Sequence, residues 1–222
     1  DISKETEFNL INNTAVKPIY VANIDTIYTV IHKQMNLDGE GYSVYETEVL
    51  TGETDTSVTP EVKEYEGFTS PEKVTVNIDG DGRRVVEYLY ERNKYTLEVD
   101  RTYASSNVED GEYYYGTEII VEAEERAGYT FVSWSDGETE REYRFNISSN
   151  KTLSPVYTTK TDTVYTVIHK KKNLDGTYTA AETEVLTGET DTEVTPEVKE
   201  YEGFISPEEQ TEEIRGDGTL EI

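Results

Sequence analysis

Cysteine is absent from the 222 residues, which excludes both a disulfide framework and a thiolate metal site. Basic residues are few: 20 Lys and Arg stand against 47 Asp and Glu, giving a formal net charge of −27. Nucleic acids and anionic membranes are bound through basic patches, so neither is expected as a partner. Long apolar runs are also missing. With no stretch of about 18 apolar residues, the sequence predicts no direct insertion into a membrane.

Residues that favour helices are scarce as well. Leu and Ala are few, only one Met is present, and no long amphipathic periodicity is visible. In contrast, 18 Tyr and many Thr and Val are typical of strands. The composition therefore predicts a mainly β protein.

What the sequence has in abundance is repetition. The phrase "ETEVLTGETDT" stands at 46–56 and returns at 182–192, and aligning 26–86 with 163–222 gives 42 identities over 60 paired positions. Upstream, "FNLINNTAVKPIYVANIDTIYTV" from Phe8 aligns without a gap on "FNISSNKTLSPVYTTKTDTVYTV" from Phe145. The period is therefore about 137 residues, and it contains two kinds of module, which we call A and B.

The repeat predicts four segments. They are the C-terminal remnant of a B module (1–25), a first A module (A1, 26–93), a B module (94–160) and a second A module (A2, 161–222). A2 is expected to be truncated, because its "GDG" turn is followed only by "TLEI" where A1 continues with "RRVVEYLYERN". Linkers between modules are very short, so we expect a monomeric segment of an elongated tandem array.

Local patterns place strands in both kinds of module. In A1, "IYTVIHK" (27–33) and "YSVYETEVL" (42–50) read as strands, and "EKVTVNI" with "RRVVEYLYER" reads as a hairpin around "DGDG". Between them, Thr59 and Pro60 are suited to begin one short helical turn, which would make the fold a β-rich α+β one.

Strands and a hairpin are predicted in the B module as well. "KYTLEVDRTY" and "YYYGTEIIVEAEER" read as strands, and "GYTFVSWSDGETEREYRFNI" reads as a hairpin around Ser135-Asp136-Gly137. Alternation predicts that Ile119, Val121 and Ala123 face the core while Glu118, Glu122 and Glu124 face water. Trp134 is predicted to lie in that core.

Several motifs resemble known repeat families. The A module, with "YTVIHKKKNLDGTY" and "ETEVLTGETDTEVTPEVKEYEGF", resembles the mucin-binding-protein (MucBP) type repeats of Gram-positive surface proteins. The B module, with "YYYGTEIIVEA", "GYTFVSW" and "NKTLSPVY", resembles the internalin B-repeat, also called the Listeria–Bacteroides repeat. Together the two resemblances cover nearly the whole chain. They imply small β-rich modules, often β-grasp-like, in an extracellular protein anchored to a bacterial cell wall.

No catalytic constellation is visible. His32 and His169 occupy the same position in the two A copies, within "VIHK", and a strand histidine of this kind is expected to be a surface or packing residue. General-base catalysis needs a positioned partner, and the sequence offers neither Cys nor a nucleophile motif beside them. We therefore predict no enzyme activity and no cofactor.

One stretch resembles a calcium loop. Asn77, Asp79 and Asp81 place oxygen donors at its first, third and fifth positions, but the twelfth position holds Tyr88 where a bidentate Glu is required. The other copy has Arg215 in place of Asp79. This variation favours a hairpin turn over a metal site.

An aromatic group is the remaining candidate for ligand binding. Tyr113, Tyr114, Tyr115 and Trp134 could form a platform on which carbohydrate stacks. The competing interpretation, which we favour, places alternate members in the core and leaves one on the surface as a scattered aromatic residue.

Two functions remain in competition. The first is a non-catalytic stalk that projects an adhesive or other functional region from the cell wall. The second is an adhesin module in which repeated A domains bind host mucin, another glycoprotein or a polysaccharide through multivalent display. Mimicry of nucleic acid by the acidic side chains is less favoured, because these side chains follow strand alternation.

Overall fold

The computed structural model describes residues 17–222, so the segment 1–16, which carries most of the predicted B remnant, lies outside the described residues. Within 17–222 the protein contains eighteen strands and no helix. The mainly β prediction is confirmed, whereas the α component is wrong for this part of the chain. The chain separates into two compact units: the first ends at Glu91, and the second comprises Arg92–Ile222 together with Leu37–Gly39.

Module A1 is built on a long antiparallel pair. Its strands are β1 (Thr26–Met35), β2 (Tyr42–Gly52), β3 (Ser57–Val58), β4 (Phe68–Thr69), β5 (Val76–Asn77) and β6 (Val85–Arg92). β1 and β2 pair from Thr26↔Gly52 to Met35↔Tyr42, with a register shift after His32. β6 runs parallel to β1 on its other edge, and the sheet order is β2-β1-β6-β4. The buried core consists of Tyr28, Val30, Ile78, Val86, Tyr88 and Tyr90.

The "DGDG" hairpin predicted in A1 is wrong. A turn forms there, with the Gly82 N–H donating to the Asp79 carbonyl at 3.1 Å, but the flanking strands do not pair with each other. β5 pairs with β3, and β6 pairs with β1. Crossing to β1 places the alternate tyrosines of β6 in the core, where burial of each aromatic ring is strongly favourable.

The short helical turn predicted at Thr59 and Pro60 is also wrong. The Thr59 hydroxyl bonds to the Thr75 hydroxyl at 2.7 Å instead of capping a helix. The Pro60 carbonyl accepts the Tyr88 hydroxyl, and the Lys63 N–H donates to the Tyr90 hydroxyl. Tertiary contacts from β6 thus satisfy backbone groups that would otherwise bond within a helix.

The B module has eight short strands. They are β7 (Lys94–Val99), β8 (Ala104–Ser106), β9 (Gly111–Tyr114), β10 (Glu118–Ala123), β11 (Tyr129–Trp134), β12 (Glu142–Asn146), β13 (Lys151–Leu153) and β14 (Pro155–Thr159). They form sheets of order β12-β10-β8, β13-β7-β9 and β11-β14. The core contains Leu97, Val99, Ala104, Ile119, Val121, Ala123, Trp134, Ile147 and Leu153. The predicted inward face of β10 is therefore confirmed, and Glu118 and Glu122 of this strand are exposed, as is Glu124 just after it.

The hairpin predicted in the B module is also wrong, because its two strands pair with other strands. The turn at 135–137 exists, and the Gly137 N–H donates to the Trp134 carbonyl at 2.9 Å. However, β11 pairs with β14 and β12 pairs with β10. The predicted strand "YYYGTEIIVEAEER" is also divided, because the chain turns at Gly116, whose φ is +86°.

Module A2 repeats the hairpin of A1. Its strands are β15 (Thr163–Lys172), β16 (Tyr178–Gly188), β17 (Glu193–Val194) and β18 (Glu212–Glu213). β15 and β16 pair from Thr163↔Gly188 to Lys172↔Tyr178, with a register shift after His169. On the other edge of β15, a parallel bridge joins Thr166 to Glu221. The buried core consists of Tyr165, Val167, Ile214 and Leu220.

The repeated phrase contains a glycine that the packing requires. A Cβ at Gly52 would lie 2.3 Å from Cδ1 of Ile78, and a Cβ at Gly188 would lie 2.3 Å from Cδ1 of Ile214. No side chain fits at either position while the isoleucine keeps its place. The phrase is therefore repeated at least partly because the core of each A module needs it.

Candidate functional site

The first candidate site is a polar cluster around His32. Because side chains alternate along β1, His32 follows Tyr28 and Val30 on the buried face, and its side chain is 0% exposed. Its Nδ1 is 2.8 Å from the Tyr90 hydroxyl, and its Nε2 is 3.1 Å from Oε2 of Glu48. Both ring nitrogens thus have partners. The histidine is a packing residue of the core, one of the two roles expected from the sequence.

Lys63 joins two glutamates of β2 to this cluster. Its Nζ lies 2.5 Å from Oε1 of Glu46 and 2.8 Å from Oε1 of Glu48. The Tyr65 hydroxyl donates to Oε2 of Glu46 at 2.9 Å. Hydrogen bonds from Lys63, supplemented by Tyr65 at Glu46 and His32 at Glu48, lower the pKa of both carboxyls. The same bonds raise the pKa of Lys63, and burial followed by the Glu46 contact raises that of Tyr65.

Aromatic rings surround the cluster. The Tyr65 and Tyr90 ring centroids are 4.7 Å apart at an interplanar angle of 73°, and the His32 and Tyr88 centroids are 5.7 Å apart. The imidazole is thus shielded from any substrate, and the two carboxylates are held as ionised acceptors by a lysine. The cluster therefore helps to hold β6 in place beside β1 and β2, because a fully hydrogen-bonded polar network favours one arrangement of a core.

Module A2 contains the counterpart cluster in a more open form. Lys199 Nζ lies 2.6 Å from Oε1 of Glu182 and 2.5 Å from Oε1 of Glu184. Nε2 of His169 is 3.4 Å from Oε2 of Glu184, and the histidine side chain is 12% exposed. The Tyr201 hydroxyl donates to Oε2 of Glu182 at 3.3 Å. Hydrogen bonds from Lys199 lower the pKa of both carboxyls here as well.

Sequence reasoning did not single out the lysine, glutamates and tyrosine of this cluster. The signal was present: "ETE" at 46–48 and "KEY" at 63–65 both return, at 182–184 and 199–201. A glutamate pair at i and i+2 on a strand places both carboxylates on one face. What the sequence does not give is that the lysine comes from a loop facing them.

The three oxygen donors of the calcium-like stretch are all engaged with protein groups. Asn77 Oδ1 accepts the Ser57 hydroxyl at 2.7 Å, and Asp79 forms an ion pair with Arg84 at 2.6 Å. Asp81 Oδ1 accepts the Arg83 N–H at 3.0 Å, as in a turn. Among residues 17–222, no group of three or more His, Cys, Asp or Glu side chains is arranged to hold a metal ion.

The aromatic candidates do not share one environment. Trp134 is 1% exposed and lies in the B core, where its Nε1–H donates to the Glu140 carbonyl at 3.0 Å. Tyr113 packs against the same core. Lys94 Nζ lies 4.9 Å from the centroid of the half-buried Tyr114 ring, and Tyr115 lies edge-on to Tyr95 at 6.5 Å. The indole is therefore enclosed and presents no face for stacking.

A second candidate site is the start of each A module, which is fixed by a repeated hydrogen bond. The Thr54 N–H donates to the Asn23 carbonyl at 2.8 Å, and the Thr190 N–H donates to the Lys160 carbonyl at 2.9 Å. In both copies the same threonine hydroxyl bonds to that of the first strand residue at 2.7 Å. The preceding segment thus enters each A module in the same way.

In the second unit this arrangement forms a seam between the B module and A2. The Lys160 N–H donates to the Gly128 carbonyl at 2.8 Å, so Lys160 is bonded to both modules. A Cβ at Gly128 would lie 2.2 Å from the Cα of Gly216. The Tyr129 hydroxyl donates to the carboxylate of Asp191, which has a positive φ of 62°. The backbones of the two modules are therefore in direct contact at Gly128 and Gly216, and the connecting residue Lys160 is hydrogen-bonded to both modules.

One protein-family model matches the middle of the chain. Residues 95–167 match the family model described as "Divergent InlB B-repeat domain", which confirms the internalin B-repeat resemblance of the B module. That family is a repeat domain associated with bacterial surface proteins and is typically non-catalytic. No curated protein matches the chain.

One solved structure with some similarity is "The Bacillus anthracis TIE protein", at 11% sequence identity and a TM-score of 0.39. The match covers 89% of this chain and 50% of the other, so the chain spans about half the length of that structure. In residues 17–222, no helix is long and apolar enough to cross a membrane. The family comparison thus identifies residues 95–167 as a segment that resembles the B-repeats of surface proteins.

Proposed function

We propose that the chain is a non-catalytic spacer segment of a bacterial cell-surface protein, in which alternating A and B modules form an elongated stalk that holds another region away from the cell wall. The observation that carries this proposal is the seam between the B module and A2. A spacer keeps its length only if its joints resist bending. Here Lys160 is hydrogen-bonded on both sides and two glycine backbones are in contact.

The charge of the chain agrees with this role. A formal net charge of −27 spread along the sequence makes neighbouring segments repel one another, which keeps them soluble and apart. Small modules without disulfides have limited cores, so a packed joint also stabilises the modules that it connects. The MucBP-type character of the A modules and attachment to the wall belong to the same proposal.

Solution scattering tests the elongated shape. A single globular domain of this length would have a radius of gyration of about 17 Å. The spacer requires a clearly larger value and a distance distribution with an extended tail. A value near 17 Å would refute it.

The seam itself is tested with a matched pair of glycine variants. Gly128→Ala introduces a Cβ that collides with Gly216, whereas Gly137→Ala introduces one that meets no atom within 4 Å. Both glycines have a positive φ, so the two variants share the backbone strain. We expect Gly128→Ala alone to remove the hydrogen-exchange protection of the Lys160 and Thr190 amides. Equal protection in the two variants would show that the seam is not a stiff joint.

A second candidate function, adhesion, is favoured by one specific observation. The outer face of the β1–β2 hairpin exposes Ile27 and Val49, and the β15–β16 hairpin exposes their counterparts Val164 and Val185. Repeated exposed aliphatic residues suit multivalent binding to a host glycoprotein or polysaccharide. A binding screen against mucins and glycans tests this function. The double variant Val49→Ser and Val185→Ser should then reduce any binding found, and an unchanged signal would assign the contact elsewhere.

A further inference from the structure

The B module contains a solvent-open pocket of about 590 Å³ beside the start of β11. This volume lies within the range of about 300–1,000 Å³ that is common for sites of small ligands. Its cationic side chains are Arg126, Arg141 and Lys160. Two exposed glutamates, Glu124 and Glu125, also line it. With three cations against two carboxylates, the pocket is locally positive in a chain whose formal net charge is −27.

Arg126 is half-buried and is held by aromatic rings instead of by a carboxylate. Its Cζ lies 3.6 Å from the centroid of the Tyr129 ring and 4.8 Å from that of the Tyr103 ring. Among residues 17–222, no acceptor is hydrogen-bonded to its guanidinium and no carboxylate forms an ion pair with it. A planar guanidinium that stacks on a ring keeps its N–H donors at the edge, where a carboxylate can accept two of them.

The other two cations are fixed at the pocket by backbone contacts. Nε and Nη2 of Arg141 donate to the Ala123 carbonyl at 3.2 and 2.8 Å, and its Nη1 is 3.7 Å from Oε1 of the exposed Glu125. The Lys160 N–H donates to the Gly128 carbonyl, while its exposed side chain forms no ion pair with any residue in 17–222. At an ionic strength of about 0.15 M the Debye length is about 8 Å, so these cations act on a bound anion more strongly than distant acidic residues do.

Aromatic rings give the pocket an apolar wall. Tyr129, Phe131 and Tyr157 line it and are each half-buried, so every ring keeps some exposed surface. The Phe131 and Tyr157 centroids are 5.8 Å apart at an interplanar angle of 76°, and the Tyr157 hydroxyl donates to the Glu124 carbonyl at 2.6 Å. The negative face of an aromatic ring attracts the positively polarised C–H groups of a sugar. The pocket therefore combines cationic donors with a fixed aromatic surface.

We propose that this pocket is a binding site for a saccharide that carries a carboxylate, in which Arg126 binds the carboxylate and the aromatic rings contact the sugar. Arg141 and Lys160 add positive charge from the pocket walls. Acidic peptides also carry carboxylates, but they lack the rigid ring of C–H groups that an aromatic wall fits. The site lies in the B module, so it depends neither on the spacer function nor on the exposed aliphatic residues of the A modules.

Titration of the 222-residue protein followed by NMR tests the site, with the methyl glycosides of glucuronic acid and of N-acetylneuraminic acid as probes. We expect saturable shifts of the Arg126 and Arg141 Nε–H signals, and the probe that binds more tightly identifies the class of acidic sugar. Methyl glucoside, which is neutral, and N-acetylglycine, which has a carboxylate but no sugar ring, should each bind at least about tenfold more weakly. Equal binding of N-acetylglycine would overturn the assignment to saccharides. No shift with either sugar acid at millimolar concentration would overturn the site itself.

A matched pair of arginine variants locates the binding. Arg126→Gln removes the proposed guanidinium, whereas Arg144→Gln removes the same charge from the exposed face of β12, where Arg144 pairs with Glu142 at 2.7 Å. We expect Arg126→Gln to weaken binding by about tenfold or more and Arg144→Gln to change it by less than about twofold. Equal losses in the two variants would contradict the proposal.

Lys160→Gln decides the case in which Arg126→Gln does not fold, because the Lys160 side chain is exposed and its backbone bonds are kept. It should weaken binding by about threefold, which is the size expected of one exposed ion pair. An unchanged affinity would then refute the site.

Discussion

Modules A1 and A2 share 42 of 60 aligned residues, yet their interiors differ. Hairpin register, the glycine–isoleucine contact and the threonine bond to the preceding segment are the same in both. However, the side chain of His32 is 0% exposed and that of His169 is 12% exposed. In A1, β6 contributes Tyr88 and Tyr90 to the core, and the Tyr90 hydroxyl bonds to Nδ1 of His32. The repeated phrase therefore determines the frame that both modules share, and β6 completes the core of A1.

The largest expected effect comes from removing a closing tyrosine. Tyr88→Ala should destabilise A1 by about 3–5 kcal/mol, because a fully buried aromatic ring leaves a cavity and the Pro60 carbonyl loses its donor. Denaturation followed by hydrogen exchange should show A1 opening before A2. It should also show His32 becoming accessible.

The control for this variant is Tyr20→Ala, since Tyr20 is 87% exposed. It should leave both modules unchanged. If Tyr88→Ala cost no more than this control, β6 would not be what completes the core of A1.

A second prediction concerns the feature that the two modules share. Gly52→Ala and Gly188→Ala should each destabilise their own module by roughly 1–3 kcal/mol, because the new Cβ forces Ile78 or Ile214 out of place. Gly80→Ala, whose Cβ would approach Thr54 no closer than 3.2 Å, serves as the milder control. Urea denaturation of each variant measures the effect. Unequal losses of stability would contradict the equal role that the glycine–isoleucine contact has in the two modules.

The sequence predicted local features better than strand partners. The turns at "DGDG" and at Ser135-Asp136-Gly137 form, because glycine with a positive φ decides them within a few residues. The hairpins built on these turns do not form, because β6 pairs with β1, which brings Tyr88 and Tyr90 into the core, and β11 pairs with β14. Partner choice depends on contacts distant in sequence, which periodicity does not encode.

For the candidate site, the sequence located the histidine but not its partners. His32 was predictable as a packing or surface residue from its strand position. Its burial depends on Tyr90, which is 58 residues away along the chain, and on Glu48 across the hairpin. A buried polar side chain needs partners, and these partners become evident only when the strand order is known.

The smallest expected effect is a loss of stability at low pH, which we expect in both modules and more strongly in A1. Lys63 lowers the pKa of Glu46 and Glu48, and Lys199 lowers that of Glu182 and Glu184, below the ordinary value of about 4.3. A carboxyl with a lowered pKa in the folded state stabilises the protein fully above its unfolded pKa and loses that contribution as pH falls through the folded one. Both modules should therefore weaken below about pH 4. The loss should be steeper in A1, since the Tyr65 hydroxyl is closer to Glu46 than the Tyr201 hydroxyl is to Glu182.

Denaturation of each module between pH 2.5 and 6 measures this slope. Lys63→Met should flatten it in A1, and Lys199→Met should flatten it in A2. Lys73→Met, at an exposed lysine, is the control for a change in overall charge. Protonation also relieves the repulsion within a chain of net charge −27, and this relief opposes the expected loss of stability. If the slope survived Lys63→Met, or if Lys73→Met flattened it by the same amount, the acid sensitivity of A1 would not come from the cluster around His32.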